Sequence, residues 1–308
     1  MAQDLLDLVG NTPLVELRHF SPRPGVRILA KLEGQNPSGS IKDRVALALV
    51  RGAEADGRLK AGDAIVEASS GNTGVALAMV GKRLGYDVKV VMPRSVPESI
   101  PDLLHLYGVD TVYCDKCDDM KQALDLAHRL AAKRDWKMLG QFSDARNPAI
   151  HYATTGAEIV AQAERVDAFV AGIGTGGTLM GVGRRLREAW PDVRVVGVEP
   201  KLGEHLQGLR PMTDGYRPPL LDLDALDGRH LVGAADAISM AQRIMTLEGI
   251  SAGISAGATV VAALREAEKL EQGTVVAMFA DAGWKYVPAK PWAAAAAGDP
   301  QLDDTHWW

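Results

Sequence analysis

Strand-like and helix-like segments alternate along almost the whole chain, and this alternation limits the possible folds more than any other feature. Apolar, β-rich runs fall at residues 26–32, 64–68, 88–92, 110–113, 137–142, 168–173, 193–198 and 274–279. Between them, apolar residues recur with helical spacing at 44–55, 73–84, 120–133, 178–190, 235–248 and 256–270. Such helices are long enough to carry the chain from one strand to a parallel neighbour. Strands that stay apolar at successive positions need cover on both faces, which predicts a doubly wound α/β architecture. The strands cluster into two groups, so two sheets are expected, with a break near 143–148 where Asp, Arg, Asn and Pro interrupt the pattern. The stretch 201–229 is rich in Pro, Gly and Asp and reads as a long surface excursion. Ordered loops of that length are often functional. Beyond Val287, a Pro- and Ala-rich run and an acidic end closing in His306-Trp307-Trp308 read as a mobile tail.

At 308 residues the chain can bury substantial cores. Its 47% hydrophobic and 24% charged content is that of a soluble globular protein. A formal net charge of −5 argues against a dedicated nucleic-acid binder, which needs a basic face for phosphates. No apolar stretch reaches the roughly 18 residues that span a bilayer, so no membrane association is expected. The N-terminus places acids where a secretory leader carries basic residues, and a cytoplasmic protein is expected. The two cysteines, Cys114 and Cys117, form a C-x-x-C. No second pair or nearby histidines complete a zinc site, and no metal is expected. A redox pair and an inert strand end followed by a turn thiol both stay open.

Chemistry concentrates in three segments. The first is Asn36-Pro37-Ser38-Gly39-Ser40-Ile41-Lys42-Asp43-Arg44. Ser40 is an N-cap candidate and Asp43 stands at N3, an approximate capping box. Lys42 would then lie in the first helical turn, where the helix dipole and partial desolvation both disfavour an ammonium. A neutral amine there can attack an aldehyde and form a Schiff base, although a lysine at a helix start is commonly just solvated. The second segment, Ser69-Ser70-Gly71-Asn72-Thr73, follows an apolar strand. Its N–H groups and the hydroxyls of Ser69, Ser70 and Thr73 suit a carboxylate, and an ordinary capped helix start would look the same.

The third segment, Gly172-Ile173-Gly174-Thr175-Gly176-Gly177-Thr178, satisfies G-x-G-x-x-G between a strand and a helix, with Glu199 ending the next strand. That is the context of a dinucleotide site, and hence of an NAD-dependent dehydrogenase. Gly174 to Thr178 also set two threonine hydroxyls beside the backbone donors, which suits one terminal phosphate. The NAD reading leaves Lys42 and the 69–73 turn without a purpose. Aldehyde-binding lysine, carboxylate cradle and phosphate cradle together describe an enzyme that handles amino acids with pyridoxal phosphate (PLP).

The same segments fall into a longer ordered series. Gly10-Asn11-Thr12-Pro13-Leu14 comes first, then Lys31-Leu32-Glu33 leading into Pro37 through Arg44, then Ser69 through Gly74. Gln141-Phe142, Asn147-Pro148, His151 and Thr154-Thr155-Gly156 follow. Gly174 through Thr178, Gly253-Ile254-Ser255 and Asp281-Ala282-Gly283 complete it. In these motifs, and over nearly its full length, the chain resembles the cysteine synthase family of fold-type II PLP enzymes, which have the tryptophan synthase β-like architecture. Trp284-Lys285-Tyr286 and the long tail resemble the B-type or O-phosphoserine-using branch.

The resemblance implies that Lys42 holds PLP and later takes the substrate Cα proton. It gives Asn72 the cofactor's 3′ oxygen, Gly174, Thr175, Gly176, Gly177 and Thr178 the phosphate, and Ser255 the pyridine nitrogen. Ser69, Ser70, Gly71, Asn72, Thr73 and Gln141 would receive the substrate carboxylate. The implied reaction is β-replacement on O-phosphoserine or O-acetylserine by a sulfur nucleophile, through α-aminoacrylate, to give L-cysteine. Sulfide, thiosulfate or a thiocarboxylated sulfur-carrier protein would supply the sulfur. Relatives that use other nucleophiles, cystathionine β-synthase-like or 2,3-diaminopropionate synthase-like, are the alternative. Arg210 stands where O-phosphoserine-using relatives place an arginine, although a surface arginine on a long loop would look the same. A homodimer is implied. Residues 1–12 with 35–145 are expected as a smaller mobile domain, 13–34 with 146–288 as a larger phosphate-binding domain, and 289–308 as a tail. Where the family shows Ser-x-Glu-Arg-Arg after Met92-Pro93, this chain has Ser95-Val96-Pro97-Glu98-Ser99-Ile100-Pro101. Both arginines are missing and two prolines stiffen the segment, so closure, oligomer contacts or the sulfur donor would differ. Trp307-Trp308 is expected to fold over the cleft.

Overall fold

The computed structural model describes residues 3–94, 96, 99–114, 120–212 and 217–292. In chain order its strands are β1 (Leu14–Glu16), β2 (Val26–Leu32), β3 (Ala64–Ala68), β4 (Asp87–Pro93), β5 (Asp110–Cys114), β6 (Lys137–Met138), β7 (Ala168–Gly172), β8 (Arg194–Pro200), β9 (Gly228–Val232) and β10 (Gly273–Phe279). The helices are α1 (Lys42–Ala55), α2 (Asn72–Leu84), α3 (Ser99–Leu106), α4 (Met120–Arg134), α5 (Arg146–Ile150), α6 (Ala157–Gln162), α7 (Gly177–Ala189), α8 (Ala234–Glu248) and α9 (Ile254–Ala267). A π-helical turn, His151–Gly156, joins α5 to α6.

These strands form two sheets. One has six strands in the order β1-β2-β10-β7-β8-β9, the other four in the order β5-β4-β3-β6. Every pairing is parallel except β1 with β2, where Val15 faces Ala30. Both sheets are covered on both faces, as their apolar strands require. In β7, Val170 joins the core formed with α8 and α9, while its neighbour Phe169 joins the core under α7. In β3, Ile65 packs with α1 and α2, and Val66 packs with α4. Adjacent side chains point to opposite faces, so each strand feeds two cores.

Parallel sheets deliver their loops to one edge, beyond the carboxyl ends of the strands. The turn 69–73 leaves β3, the glycine turn leaves β7, and the segment with Asp281 leaves β10. Between the sheets lies a buried ion cluster. Arg44 of α1 donates to Glu33 at 2.7 Å and to Glu158 of α6 at 2.6 Å, and Lys31 of β2 donates to Glu158 at 2.8 Å. Lys31, Glu33 and Arg44 are 0, 0 and 2% exposed. Burial pushes the Glu158 carboxyl up, but its bonds to Arg44 and Lys31 outweigh that and hold it at about 2.

Several elements depart from the sequence pattern for identifiable reasons. The run expected as a strand over 137–142 pairs only at Lys137–Met138, because Gly140 turns the chain at φ +75°. That turn frees Gln141 from the sheet. The interruption at 143–148 contains the start of α5, and Pro148 sits in its first turn, where no helical N–H is needed. Pro101 has the same place in α3, so it begins a helix as well as stiffening the segment. Ser95, Pro97 and Glu98 lie outside the described residues. The excursion after β8 is less superficial than expected: Leu206 and Leu221 are buried at 4 and 3%, and its end forms edge strand β9.

Cys114 ends β5 as expected and is disulfide-bonded. Cys117, the chain's only other cysteine, lies outside the described residues. So do residues 293–308, and with them the expected docking of Trp307-Trp308. No helix among the described residues is long and apolar enough to cross a membrane.

Candidate active site

Lys42 opens α1, and its backbone N–H donates to Ser40 Oγ at 3.3 Å. The expected capping box is incomplete. The Asp43 carboxylate turns back to the Ser38 N–H at 2.7 Å and to the Ser38 hydroxyl, which pins the loop ahead of the helix. Burial raises Asp43 to about 6 despite those bonds. The Lys42 ammonium makes no hydrogen bond or ion pair among the described residues. Burial lowers its pKa; Asp281 and Glu33 pull it back up, and the nearby Lys285 pushes it further down. The result is an amine biased toward its neutral, nucleophilic form.

Two cavities meet at Lys42. One is lined by the whole 69–73 turn, Gln141 and Arg210; the other by Gly174, Thr175, Gly176 and Thr178; Ser255 borders both. Ser69 Oγ accepts from the Gly71 and Gly74 N–H groups at 3.2 and 2.9 Å, which shapes the turn. Ser70 is exposed to the cleft. Thr73 Oγ1 donates to Gln141 Oε1 at 2.6 Å, and Gln141 Nε2 donates to Ala68 O at 3.1 Å. The hydroxyl-bearing turn and the amide therefore form one polar wall.

The glycine turn sits at the N-terminus of α7, where N–H groups and the helix dipole favour an anion. Gly176 adopts φ +87°, and a Cβ there would stand 2.8 Å from Leu221. Gly177 lines neither cavity; its back meets Asn147, whose Nδ2 donates to Gln141 O at 2.7 Å and to Thr175 Oγ1 at 3.0 Å. One buried amide thus ties the Gln141 wall to the glycine turn. Burial holds His151 neutral, with Lys42 and Arg44 reinforcing the effect, and its Nε2 lies 3.4 Å from Thr178 Oγ1.

These features fit PLP. A phosphate needs a glycine turn with hydroxyls at a helix start, and the aldehyde needs a desolvated amine beside it. Both are present, with Ser255 at the start of α9 in the same cavity. The dinucleotide reading fails at its acidic residue. Glu199 is 4% exposed and already accepts from Arg229 at 2.9 Å and from the Met212 N–H at 2.8 Å, leaving it committed within the protein.

Comparison with known proteins agrees. Residues 5–281 match the family described as pyridoxal-phosphate dependent enzyme. The chain belongs to that family. It is 38% identical over 301 residues to a cysteine synthase of Staphylococcus aureus, covering 93% of this chain and 97% of the relative. It is 39% identical over 280 residues to cysteine synthase B of Escherichia coli, covering 91 and 92%. A solved structure of O-ureido-L-serine synthase superposes with a TM-score of 0.91 at 38% identity, covering 98% of each chain. The chain is therefore a cysteine synthase-like, PLP-dependent β-replacement enzyme with the tryptophan synthase β-like fold.

The cleft also contains side chains to which the sequence assigned no role. Asp281 Oδ2 accepts from Asn72 Nδ2 and from Tyr286 OH, each at 2.6 Å, while its buried Oδ1 has no partner. Burial pushes Asp281 up. Lys285 Nζ donates to Asn72 Oδ1 at 2.8 Å. Below the 69–73 turn, Glu67 Oε2 accepts the Gly140 N–H at 2.9 Å and supports the loop that presents Gln141. Asp281 and Lys285 follow the closing strand in the sequence, but nothing in their spacing indicates that they turn toward Asn72.

Proposed function

We propose that this enzyme makes L-cysteine by replacing the β-oxygen substituent of an O-activated L-serine with a sulfur nucleophile. One observation carries the reading: a desolvated Lys42 amine stands where the cavity of the 69–73 turn meets the cavity of the glycine turn. Gly174, Thr175, Gly176 and Thr178 would hold the phosphate, with Gly177 supporting the turn from outside the cavity, Asn72 would hold the ring oxygen and Ser255 the pyridine nitrogen. Bound PLP supplies the sink for the electron pair left on Cα, and a neutral hydroxyl at the ring nitrogen keeps that sink moderate, which suits β-elimination.

The protein's own groups do the rest. Ser69, Ser70, Gly71, Asn72, Thr73 and Gln141 would hold the substrate carboxylate and so fix which Cα bond faces Lys42. Lys42 Nζ takes the Cα proton, the Cβ–O bond breaks as the leaving group departs, and a sulfur–Cβ bond forms in its place. Lys42 Nζ then returns a proton to Cα. Residues 1–12 and 35–145 would act as a smaller domain that closes on the carboxylate and excludes water. Arg210 supports O-phosphoserine as the substrate. It lines the cleft, its N–H anchors the loop on Ile173 O at 2.8 Å, and its guanidinium lies 5.8 Å from the Phe142 ring centre. A guanidinium suits a departing phosphate.

The likeness to O-ureido-L-serine synthase favours a second reading, in which the site is unchanged and a different nucleophile attacks Cβ. The purified protein is expected to be yellow, and Lys42→Ala to abolish both the colour and turnover. O-phosphoserine and O-acetylserine, each offered sulfide and then non-sulfur nucleophiles, separate the two readings. Cysteine formed faster than any other product supports the first; preference for a non-sulfur acceptor overturns it in favour of the second.

A further inference from the structure

Lys285 belongs to none of the sequence motifs' assigned roles, and the chemistry above gives it no part. It follows β10 in the 3-10 segment Gly283–Ala289 and is only 9% exposed. Its stem crosses Gly39, in the segment that carries Lys42. A Cβ at Gly39 would stand 3.0 Å from Lys285 Cε and 2.9 Å from Trp284 Cζ2, so the chain leaves room there for this side chain. Backbone bonds fasten the two segments together: the Ile41 N–H donates to Ala280 O at 2.8 Å, and the Ala282 N–H to Gly39 O at 3.1 Å.

Both ends of the Asn72 amide are committed. Nδ2 donates to Asp281, and Oδ1 accepts from Lys285. A flipped amide would set its oxygen against a carboxylate oxygen and its NH2 against an ammonium, losing both bonds. Asp281 cannot enforce that choice alone. Burial drives it toward protonation, and a protonated carboxyl donates as readily as it accepts. Burial lowers Lys285 as well, but the Asp281 and Asp43 carboxylates pull it back toward its ammonium form, which only donates. We infer that Lys285 is a positioning residue that locks the Asn72 amide, so that the second Nδ2 hydrogen stays available to the oxygen on the cofactor ring. The inference rests on the PLP reading. Lys285 also adds positive charge near Lys42, alongside burial and against the pull of Asp281 and Glu33.

The test compares the PLP-loaded parent with Lys285→Met, which keeps the stem over Gly39 without a donor, and Lys285→Arg, which keeps a donor. Lys285→Met is expected to shift the visible absorption maximum and raise the PLP dissociation constant about tenfold, the loss of one charge-assisted hydrogen bond. Lys285→Arg is expected to recover most of both, and the cofactor-free melting temperature to stay at the parent value. If the methionine variant does not fold, Lys285→Gln gives a second measurement of the band and the affinity. A colourless parent overturns the PLP reading and this inference together. A yellow parent whose band and affinity are matched by the variants overturns the inference alone. So does a variant that melts lower without cofactor while its band stays in place, since that marks a purely structural role.

Discussion

Glu67 occupies the fourth position of an otherwise apolar strand, and its Oε2 accepts the Gly140 N–H while Oε1 is buried without a partner. Burial raises its pKa from 4.5 to about 7, against the backbone N–H groups that favour the carboxylate. The folded state therefore holds this proton more tightly than the unfolded chain. The stability it contributes is complete below about pH 4.5 and is lost as pH rises through about 7. Glu67→Gln keeps an acceptor for Gly140 and removes the titration. The variant is expected to gain about 2–3 kcal/mol on the parent between pH 5 and pH 8, read from urea unfolding at both values. An equal difference at the two pH values would refute the assignment. Lys42, the 69–73 turn and the glycine turn were legible in the sequence because local chemistry defines them: an amine at a helix start, and donors at strand ends. Glu67, Asp281 and Lys285 were not, because their meaning comes from partners brought close only by the tertiary path.

Helix α7 carries the glycine turn at its start and leans on α5 and the π-turn. A Cβ on Gly181 would stand 2.1 Å from Pro148 O and 2.8 Å from His151 Cβ, so this contact exists only with glycine. Gly181→Ala is expected to push α7 outward. It should cost about 1–3 kcal/mol in urea unfolding and weaken PLP retention by displacing Thr175 and Thr178. Unchanged cofactor affinity would show that the turn moves independently of its helix. Periodicity revealed the long, strongly patterned elements but not the short ones. Prolines in the first turns of α3 and α5 read as interruptions, although a first turn tolerates them. Strand β9 is an edge strand whose burial alternates, so half of its residues look like loop.

Across the whole molecule, the cluster of Lys31, Glu33, Arg44 and Glu158 joins α1, which packs on the four-stranded sheet, to β2 and α6 on the other side. Its two cations and two carboxylates balance, and breaking that balance strands a charge in a dry interior. Arg44→Met is expected to cost about 3–5 kcal/mol in urea unfolding, because Glu33 is left buried without its main partner. A loss below about 1 kcal/mol would place water or mobility at this junction. The two-sheet architecture could be anticipated from the alternation of segments. This junction could not, because Lys31-Leu32-Glu33 reads as the end of a strand until α6 comes to lie against it.

The excursion after β8 is fastened at buried Leu206, at the bond from Arg210 to Ile173, and again at buried Leu221. Gln207 through Arg210 line the cleft between the first two of these fastenings, so a change of side chain there can retune what the cleft admits while the path of the backbone is held. Enzymes descended from a shared ancestor and differing in the group they eject or capture should therefore diverge first along this rim.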